Sequence, residues 1–118
     1  MLKKPQRIKK NKEFLNLYKK GSFQRSRLFL LKFIKNNLKN SRFAFVVSLK
    51  VSKRAVDRNL IKRRMREIIR ILNKDIKEGY DLVFIMNSLS LNVTYKDLQN
   101  EVVKSLKKTK LLKKTSSL

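Results

Sequence analysis

Residues 50–70 read KVSKRAVDRNLIKRRMREIIR and combine a regular apolar repeat with nine basic side chains. When successive residues are turned by about 100°, as in an α-helix, one apolar set falls within about 80° of arc. The set consists of Ile61, Met65, Ile68, Leu72 and Ile76. Such a stripe is typical of a helix that packs one side on a protein core. The repeat therefore predicts a long amphipathic helix from about Val56 to Lys77.

The opposite side of this predicted helix is basic. A polar set lies roughly 100° to 200° around the axis from Ile61, and it consists of Asn59, Lys62, Arg63, Arg66 and Arg70. Basic residues on an exposed helix face are most often simply solvated, but such faces usually mix acidic and basic side chains. Asp57 and Glu67 are the only acidic residues of the stretch. Because a bound polyanion would relieve the repulsion, we interpret this face as an anion-binding surface.

Composition indicates nucleic acid as the polyanion. The 118 residues include 32 Lys and Arg against 8 Asp and Glu, which gives a net charge of +24. An excess of this size favours nucleic-acid binding, and 42% hydrophobic residues suffice to fold a small domain. No secretory signal is recognisable, and the apolar run from Leu28 to Ile34 is far shorter than the roughly 20 residues of a membrane span. Since cysteine is also absent, we expect a cytoplasmic protein.

Shorter patterns flank the basic helix on both sides. Asn11 is placed to cap a first helix that stops at Gly21. Residues 28–35 and 42–49 are rich in aromatic and branched side chains, which predicts two strands of a hairpin. Residues 80–86, YDLVFIM, predict a third strand.

A last helix is predicted from Thr94, whose hydroxyl can cap the first turn while Asp97 completes a capping box. The order of elements is then α-β-β-α-β-α. This order indicates an α+β fold with a small sheet covered by helices. We assign residues 1–118 to a single nucleic-acid-binding domain and expect its ends, 1–10 and 113–118, to be flexible.

The inventory of side chains excludes several kinds of active site. The chain has no histidine and no cysteine, so zinc sites and histidine-assisted nucleophiles are not available. Gly21 and Gly79 are the only glycines, which excludes a P-loop and a GxGxxG loop. Asp75, Glu78 and Asp81 surround a turn, and we interpret them as helix-end and turn residues rather than as a two-metal site. We predict no catalytic residue and no metal ligand, and we expect another molecule to supply any chemistry.

The segment Ala55 to Glu67, AVDRNLIKRRMRE, resembles the signature of the bacterial ribonuclease P protein component, whose core pattern is R-N-x-x-K-R-x-x-R. The matching residues are Arg58, Asn59, Lys62, Arg63 and Arg66. The opening RIKKNKEFLNLYKKG and the segments SRFAFVVSLK, GYDLVFIM and TYKDL also resemble that family, so the resemblance covers nearly the whole chain. Leu49 departs from it, since the family usually has a lysine there.

The resemblance implies an RNA-binding subunit that joins a large catalytic RNA and helps it to remove the 5′ leader from precursor tRNA. The RNA and its Mg²⁺ ions would do the hydrolysis, and the protein alone would bind no cofactor. The resemblance also implies a two-layer α/β sandwich with a left-handed β-α-β crossover, although right-handed crossovers predominate in general. We expect the free protein to be a monomer.

Two RNA-contacting surfaces follow from the resemblance. The first is the basic helix face, where Asn59 would contact a 2′-hydroxyl or a base edge. Basic residues on and beside it would contact phosphates, namely Lys50, Lys53, Arg54, Arg58, Lys62, Arg63, Arg66 and Arg70. The second surface is a cleft between the sheet and the first helix, where Phe14 and Tyr18 would stack on leader bases, although aromatic residues at this spacing also suit a core. Lys32 stands where relatives often have Tyr, so one stacking contact is absent or replaced by a phosphate contact.

Two other classes of protein fit the composition. A basic RNA-binding protein of ribosomal type needs the same charge, but it does not need a fixed-offset signature on a helix between two strands. A membrane-surface protein would use a basic amphipathic helix. In this chain, however, the apolar stripe is needed to cover a sheet, and no Trp is present. We therefore favour the ribonuclease P subunit and keep the ribosomal type as the alternative.

Overall fold

The computed structural model describes residues 17–113. Residues 17–20 are helical and form the described end of α1. The other elements are β1 (Ser22–Arg25), β2 (Phe29–Lys35), β3 (Arg42–Val46), α2 (Ala55–Leu72), β4 (Tyr80–Met86) and α3 (Tyr95–Lys108), with 3-10 turns at Asn73–Asp75 and Ser88–Asn92. The fold is α+β, as predicted, with β1 as an additional strand. The predicted cap at Asn11 lies outside the described part, as do the ends predicted to be flexible (1–10 and 113–118) except for Lys113.

The four strands form one sheet in the order β1-β2-β4-β3. β1 and β2 are antiparallel and pair Phe23 with Lys32. β2 and β4 are also antiparallel and pair Lys32 with Val83, whereas β3 and β4 are parallel and pair Ala44 with Val83. A parallel pair needs a crossover connection, and α2 provides it. The hand of this crossover stays a prediction.

The predicted hairpin between residues 28–35 and 42–49 is wrong, because β4 lies between β2 and β3. Four consecutive residues of β4, 81–84, are buried. A strand that is covered on both faces takes the centre of a sheet, where both of its edges are also paired. A hairpin forms instead between β1 and β2 through residues 26–28.

One face of the sheet packs against α2 and α3 and forms the main core. Phe29, Phe43 and Phe84 are almost completely buried there, and the rings of Phe29 and Phe84 meet edge to face with centroids 5.2 Å apart. The predicted apolar stripe is buried in this core, which confirms its assignment: Ile61, Met65, Ile68, Leu72 and Ile76. The core therefore fixes which side of α2 faces outward.

The helix α2 ends at Leu72, five residues before the predicted end, because the chain tightens into the 3-10 turn at Asn73–Asp75. Ile76 then has an extended backbone and is buried beside Leu112, with which it forms a β-bridge. Gly79 has a φ of 84°. Glycine adopts this left-handed value without the strain of a Cβ, which allows the chain to turn into β4.

The helix α3 begins with the predicted capping box. Thr94 Oγ1 accepts a hydrogen bond from the Asp97 backbone N–H at 3.1 Å, and Asp97 Oδ2 accepts one from the Thr94 backbone N–H at 3.4 Å. Leu98 and Val102 of α3 are buried in the main core. α3 packs beside α2, with α2 next to β3 and α3 next to β1. The sheet and these two helices form the two layers of the fold.

The opposite face of the sheet carries a smaller apolar cluster. Leu17 of α1 is buried with Val83 of β4. The helix stops at Lys20, as predicted, and the Gly21 backbone N–H donates to the Leu17 carbonyl at 2.8 Å. A Cβ at Gly21 would collide with that carbonyl. The glycine thus brings the end of α1 close to the sheet and places residues 17–20 along one side of this face.

An ion pair joins β3 to β4 on the same face. Arg42 donates from Nε and Nη2 to the two carboxylate oxygens of Asp81 at 2.8 and 2.7 Å, and Asn36 Nδ2 donates to Asp81 Oδ1 at 2.8 Å. Asp81 is buried and lies within β4, so its interpretation as a turn residue is wrong. Its carboxylate holds the ends of three chain segments together.

Candidate nucleic-acid interface

The outer face of α2 carries most of the predicted signature. Asn59 and Arg63 are exposed, and Lys62 and Arg66 are half-buried. Within residues 17–113, none of these four side chains has a hydrogen-bond or ion-pair partner. Asn59, Arg63 and Arg66 line an open groove together with Glu67. Donors that are fixed on a helix and lack protein partners are suited to bind phosphate oxygens.

Arg58, the first residue of the signature, is bound to the loop that precedes α2. Its Nη1 donates to the Ser52 carbonyl at 2.9 Å. The Ser52 hydroxyl donates to Asp57 Oδ2 at 2.9 Å, and Arg54 Nε lies 3.9 Å from the same oxygen. These contacts hold the loop against the first turn of the helix. Among residues 17–113, Arg58 therefore has a structural contact that the four other signature residues lack.

The loop before α2 extends the basic surface beyond the helix. Lys50 and Lys53 are exposed and have no side-chain partner in the described part of the chain. Arg54 is also exposed but lies near Asp57. The N-terminal end of a helix carries a partial positive charge, so these side chains and the end of α2 attract the same anions. All three predicted loop residues lie at this end of the face.

Arg70, at the other end of the face, is already paired. Its Nε and Nη2 donate to the two oxygens of Glu67 at 3.0 and 2.6 Å. These hydrogen bonds lower the pKa of Glu67 and raise the pKa of Arg70. Arg64 is turned away from the groove and donates from Nη1 to the Val93 carbonyl at 3.2 Å. The predicted repulsion among the basic side chains of α2 is thus partly relieved by the hydrogen bonds of Arg70 and Arg64 within the protein.

The second predicted surface lies on the sheet face that α1 flanks. Tyr18 is 42% exposed, and the Lys32 ammonium group lies 4.6 Å from the centre of its ring. The structure therefore brings together two of the three predicted cleft residues, whereas Phe14 lies outside the described residues. Phe33 packs into the main core on the opposite face, as strand alternation predicts. The aromatic ring can stack on a base, and the cation beside it can bind a phosphate.

The strand β1 adds two side chains to this face that no sequence pattern had assigned. Phe23 pairs with Lys32 across the sheet and is 61% exposed. The guanidinium carbon of Arg25 lies 5.9 Å from the centre of the Phe23 ring. Because β1 is the short, mainly exposed segment SFQR with Phe23 as its single apolar residue, the sequence carries no clear strand signal that could have identified them.

Neither a metal centre nor a membrane segment accompanies these surfaces in the described chain. Residues 17–113 contain no group of three or more His, Cys, Asp or Glu that could hold a metal ion. No helix in that range has the length and apolar character needed to cross a membrane.

Comparison with known proteins gives the same relationship along almost the whole chain. The family model described as Ribonuclease P matches residues 2–110. The ribonuclease P protein component of Clostridium botulinum (strain Loch Maree / Type A3) is 42% identical over 106 residues, which cover 89% of this chain and 95% of that protein. The ribonuclease P protein component of Caldanaerobacter subterraneus subsp. tengcongensis is 33% identical over 111 residues, which cover 94% of this chain and 95% of that protein.

Solved structures share the fold. A mutant of the Staphylococcus aureus RNase P protein with defective mRNA degradation activity matches with a TM-score of 0.87 and 33% identity, covering 92% of each chain. The RNase P protein from Thermotoga maritima matches with a TM-score of 0.79 and 29% identity, covering 86% of this chain and 96% of that chain. The signature on α2, the topology of the sheet and these matches agree, and this chain belongs to the ribonuclease P protein component family.

Proposed function

We propose that this chain is the protein subunit of ribonuclease P and that it promotes the removal of the 5′ leader from precursor tRNA by binding both RNAs. Membership of the family supports ribonuclease P as the enzyme to which the chain belongs and the catalytic RNA of that enzyme as its partner. The observation that carries the proposal is a row of donors on α2 that have no partner within residues 17–113, presented by a helix whose other side is buried. In this proposal the free protein is a monomer and acts in the cytoplasm.

The α2 face is the proposed contact with the catalytic RNA. Arg63 and Arg66 can each offer a planar fork of donors to one phosphate, whereas Lys62 acts as a point charge. Side chains three or four residues apart on a helix have Cβ atoms about 5–6 Å apart. The face therefore presents several cations along one line, as a phosphate backbone requires. The Asn59 amide can both donate to and accept from a 2′-hydroxyl.

The cleft beside α1 is the proposed contact with the leader. Unpaired bases stack on exposed aromatic rings with about 1–3 kcal/mol per base, and Tyr18 offers such a ring. Lys32 lies over that ring and can reach a phosphate of the same strand. Phe14 stays part of the proposal from the family resemblance. This surface lies on the sheet face that is not covered by α2 and α3, so the two RNAs need not compete for one site.

The hydrolysis is proposed to belong to the RNA and its Mg²⁺ ions. The described residues contain no group of three or more His, Cys, Asp or Glu that could hold a metal ion. The two carboxylates of α2 already have partners, since Asp57 accepts from Ser52 and Glu67 accepts from Arg70. The side chains of this chain bind and orient RNA.

The test combines purified protein, its cognate catalytic RNA and precursor tRNA at low Mg²⁺ concentration, with each component omitted in turn. We expect the RNA with protein to release the leader faster than the RNA alone, and we expect no cleavage by protein alone. Cleavage by the protein without RNA would overturn the division of labour. RNA binding without any stimulation of cleavage would favour the ribosomal-type alternative.

A further inference from the structure

A pocket lies at the edge of the sheet, where the turn between β1 and β2 meets α3, away from the α2 face. Four basic side chains line it: Arg25 from the end of β1, Arg27 from the turn, and Lys104 and Lys108 from α3. None of the four has an ion-pair partner within residues 17–113. Glu101 also lines the pocket, but its Oε1 accepts a hydrogen bond from the Ser26 hydroxyl at 2.8 Å. The pocket thus holds four positive charges against one negative charge.

The turn that contains Arg27 and follows Arg25 is held in place by hydrogen bonds. Asn87 Nδ2 donates to the Arg27 carbonyl at 2.9 Å, which connects the turn to the end of β4. The hydrogen bond from Ser26 to Glu101 connects the same turn to α3. Arg25 and Arg27 therefore extend from a backbone that is already ordered, which reduces the entropy cost of binding a ligand.

A buried hydroxyl group lines the same pocket. Ser105 is 2% exposed, and within the described residues its Oγ is a buried side-chain atom that lacks any hydrogen-bond partner. Such groups in proteins are normally satisfied by a side chain, by ordered water or by a ligand. Ser105 lies on α3 between Lys104 and Lys108, the two lysines of the pocket. Unpaired cations and an unsatisfied hydroxyl together indicate a site for a polar anion.

We propose that this pocket binds a backbone phosphate of RNA and forms a second anion site, separate from the α2 face. The proposal rests on the proposed function, which supplies the RNA. β1 is three strands away from β3 in the sheet, or about 14 Å at about 4.8 Å per strand. Because α2 packs next to β3 and α3 next to β1, one phosphate cannot satisfy both sites.

The position of Arg25 connects the pocket to the leader cleft. Its guanidinium lies over the ring of Phe23, and Phe23 is the cross-strand neighbour of Lys32, which in turn lies over Tyr18. These side chains form a continuous row of aromatic and cationic groups from α1 to the sheet edge. A single strand that stacks in the cleft would reach the pocket along this row. The precursor tRNA is therefore favoured as the source of the phosphate over the catalytic RNA.

The test compares two double variants of the full chain that lose the same charge. The pocket variant is Lys104→Gln with Lys108→Gln. The control is Lys39→Gln with Lys77→Gln, which removes two exposed lysines near the other end of the sheet. Circular dichroism and thermal melting verify that both variants fold. Filter binding over a series of salt concentrations then measures two affinities. One arm measures the affinity of the protein for the catalytic RNA, and the other measures the affinity of the assembled holoenzyme for precursor tRNA.

We expect the pocket variant to bind about tenfold more weakly at low salt than the control, as for the loss of a hydrogen bond to a charged group. Its salt dependence should be flatter by about one counterion per lost phosphate contact. A loss confined to the precursor arm assigns the phosphate to the precursor, and a loss confined to the other arm assigns it to the catalytic RNA. Equal affinity and slope for both variants in both arms would overturn the site. The wild-type protein must also stimulate cleavage by the catalytic RNA. If it does not, both the proposed function and this site are overturned. If it does, but the two variants bind RNA equally well, the site alone is overturned.

Discussion

Arg42 and Arg66 are both arginines, but they have opposite roles in this protein. Arg42 is largely buried, and two of its nitrogens are bound by the carboxylate of Asp81 between β3 and β4. Arg66 lies on α2, borders an open groove and has no ion-pair partner in the described chain. The first arginine is committed to the fold, and the second remains available to a ligand. We therefore expect stability and RNA binding to depend on different basic residues, so that each can be changed separately.

The excess of positive charge explains why so many cations remain available. The chain has 8 acidic residues for 32 basic ones, so most Lys and Arg side chains have no carboxylate to pair with. The ion pairs formed within residues 17–113 are Arg42 with Asp81, Arg54 with Asp57, Arg70 with Glu67 and Lys113 with Glu78. Of these, the pair of Arg42 is the most deeply buried. Within the described residues, a few basic side chains thus serve the fold, as Arg42 does, and the others stay available, as Arg66 does.

Replacing Arg42 by Ala should cause the largest change, a loss of about 3–5 kcal/mol in the free energy of unfolding. The reason is that Asp81 would stay buried with an uncompensated charge. Urea denaturation measures the loss, and the RNA affinity of the folded fraction should be unchanged. The double variant Arg42→Met with Asp81→Leu is the control and should recover much of the stability. A loss below about 1 kcal/mol in the single variant would show that the pair behaves as a surface ion pair.

Replacing Tyr18 by Ala should weaken the binding of precursor tRNA to the holoenzyme by about 1–3 kcal/mol, the range for one stacked base. Mature tRNA, which lacks the leader, should bind as before. The matched control is Tyr18→Phe, which keeps the ring and should keep the affinity. Equal losses for precursor and mature tRNA would instead assign Tyr18 to the fold.

Replacing Arg66 by Ala should weaken binding of the catalytic RNA by about tenfold, as for the loss of a charged hydrogen bond. It should flatten the salt dependence by about one counterion, while the free energy of unfolding changes by less than about 0.5 kcal/mol. Arg64→Ala is the control on the same helix, because its guanidinium is bound to the Val93 carbonyl. The same slope change in both variants would mean that charge acts at long range rather than by contact.

Local and periodic features of the fold could be predicted from the sequence, whereas the order of the strands could not. The stripe of α2 and the capping box of Thr94 depend on residues within a few turns, and both are confirmed. Whether β2 pairs with β3 or with β4 depends on segments that are far apart in the sequence. The burial of residues 81–84, which accompanies the central position of β4, exists only in the folded chain. β1 has four residues and a mainly exposed pattern, so it carries almost no hydrophobic signal.

The same distinction applies to the candidate sites. The signature residues lie at fixed offsets along one helix, so their common face follows from the sequence. The contacts that distinguish these residues do not follow from the sequence, since Arg58 donates to the Ser52 carbonyl in a loop and Arg70 is held by Glu67. The pocket at α3 brings together residues about 75 positions apart, as the hydrogen bond from Ser26 to Glu101 shows. No local pattern could indicate it.

Replacing Glu67 by Gln should cause the smallest change, and in the opposite direction to the others. Glu67 borders the groove of Asn59, Arg63 and Arg66, and it holds Arg70 with two hydrogen bonds. Removing its charge from an anion-binding groove and releasing Arg70 should tighten RNA binding by roughly twofold to fivefold at low salt. The gain should disappear at high salt, because exposed charges are screened. Weaker binding by the variant would mean that Glu67 positions Arg70 for the RNA.

The pH dependence of RNA binding tests the same contact without a change at Arg70. The hydrogen bonds from Arg70 lower the pKa of Glu67, so the stability from this pair is present above the unfolded pKa and is lost as pH falls through the lower, folded pKa. Because the pair is exposed, this loss of stability is small. Protonation of Glu67 nevertheless removes its charge from the groove, so acidification should bring the RNA affinity of the wild type towards that of Glu67→Gln. A constant ratio of the two affinities across that pH range would show that the charge of Glu67 does not oppose RNA binding.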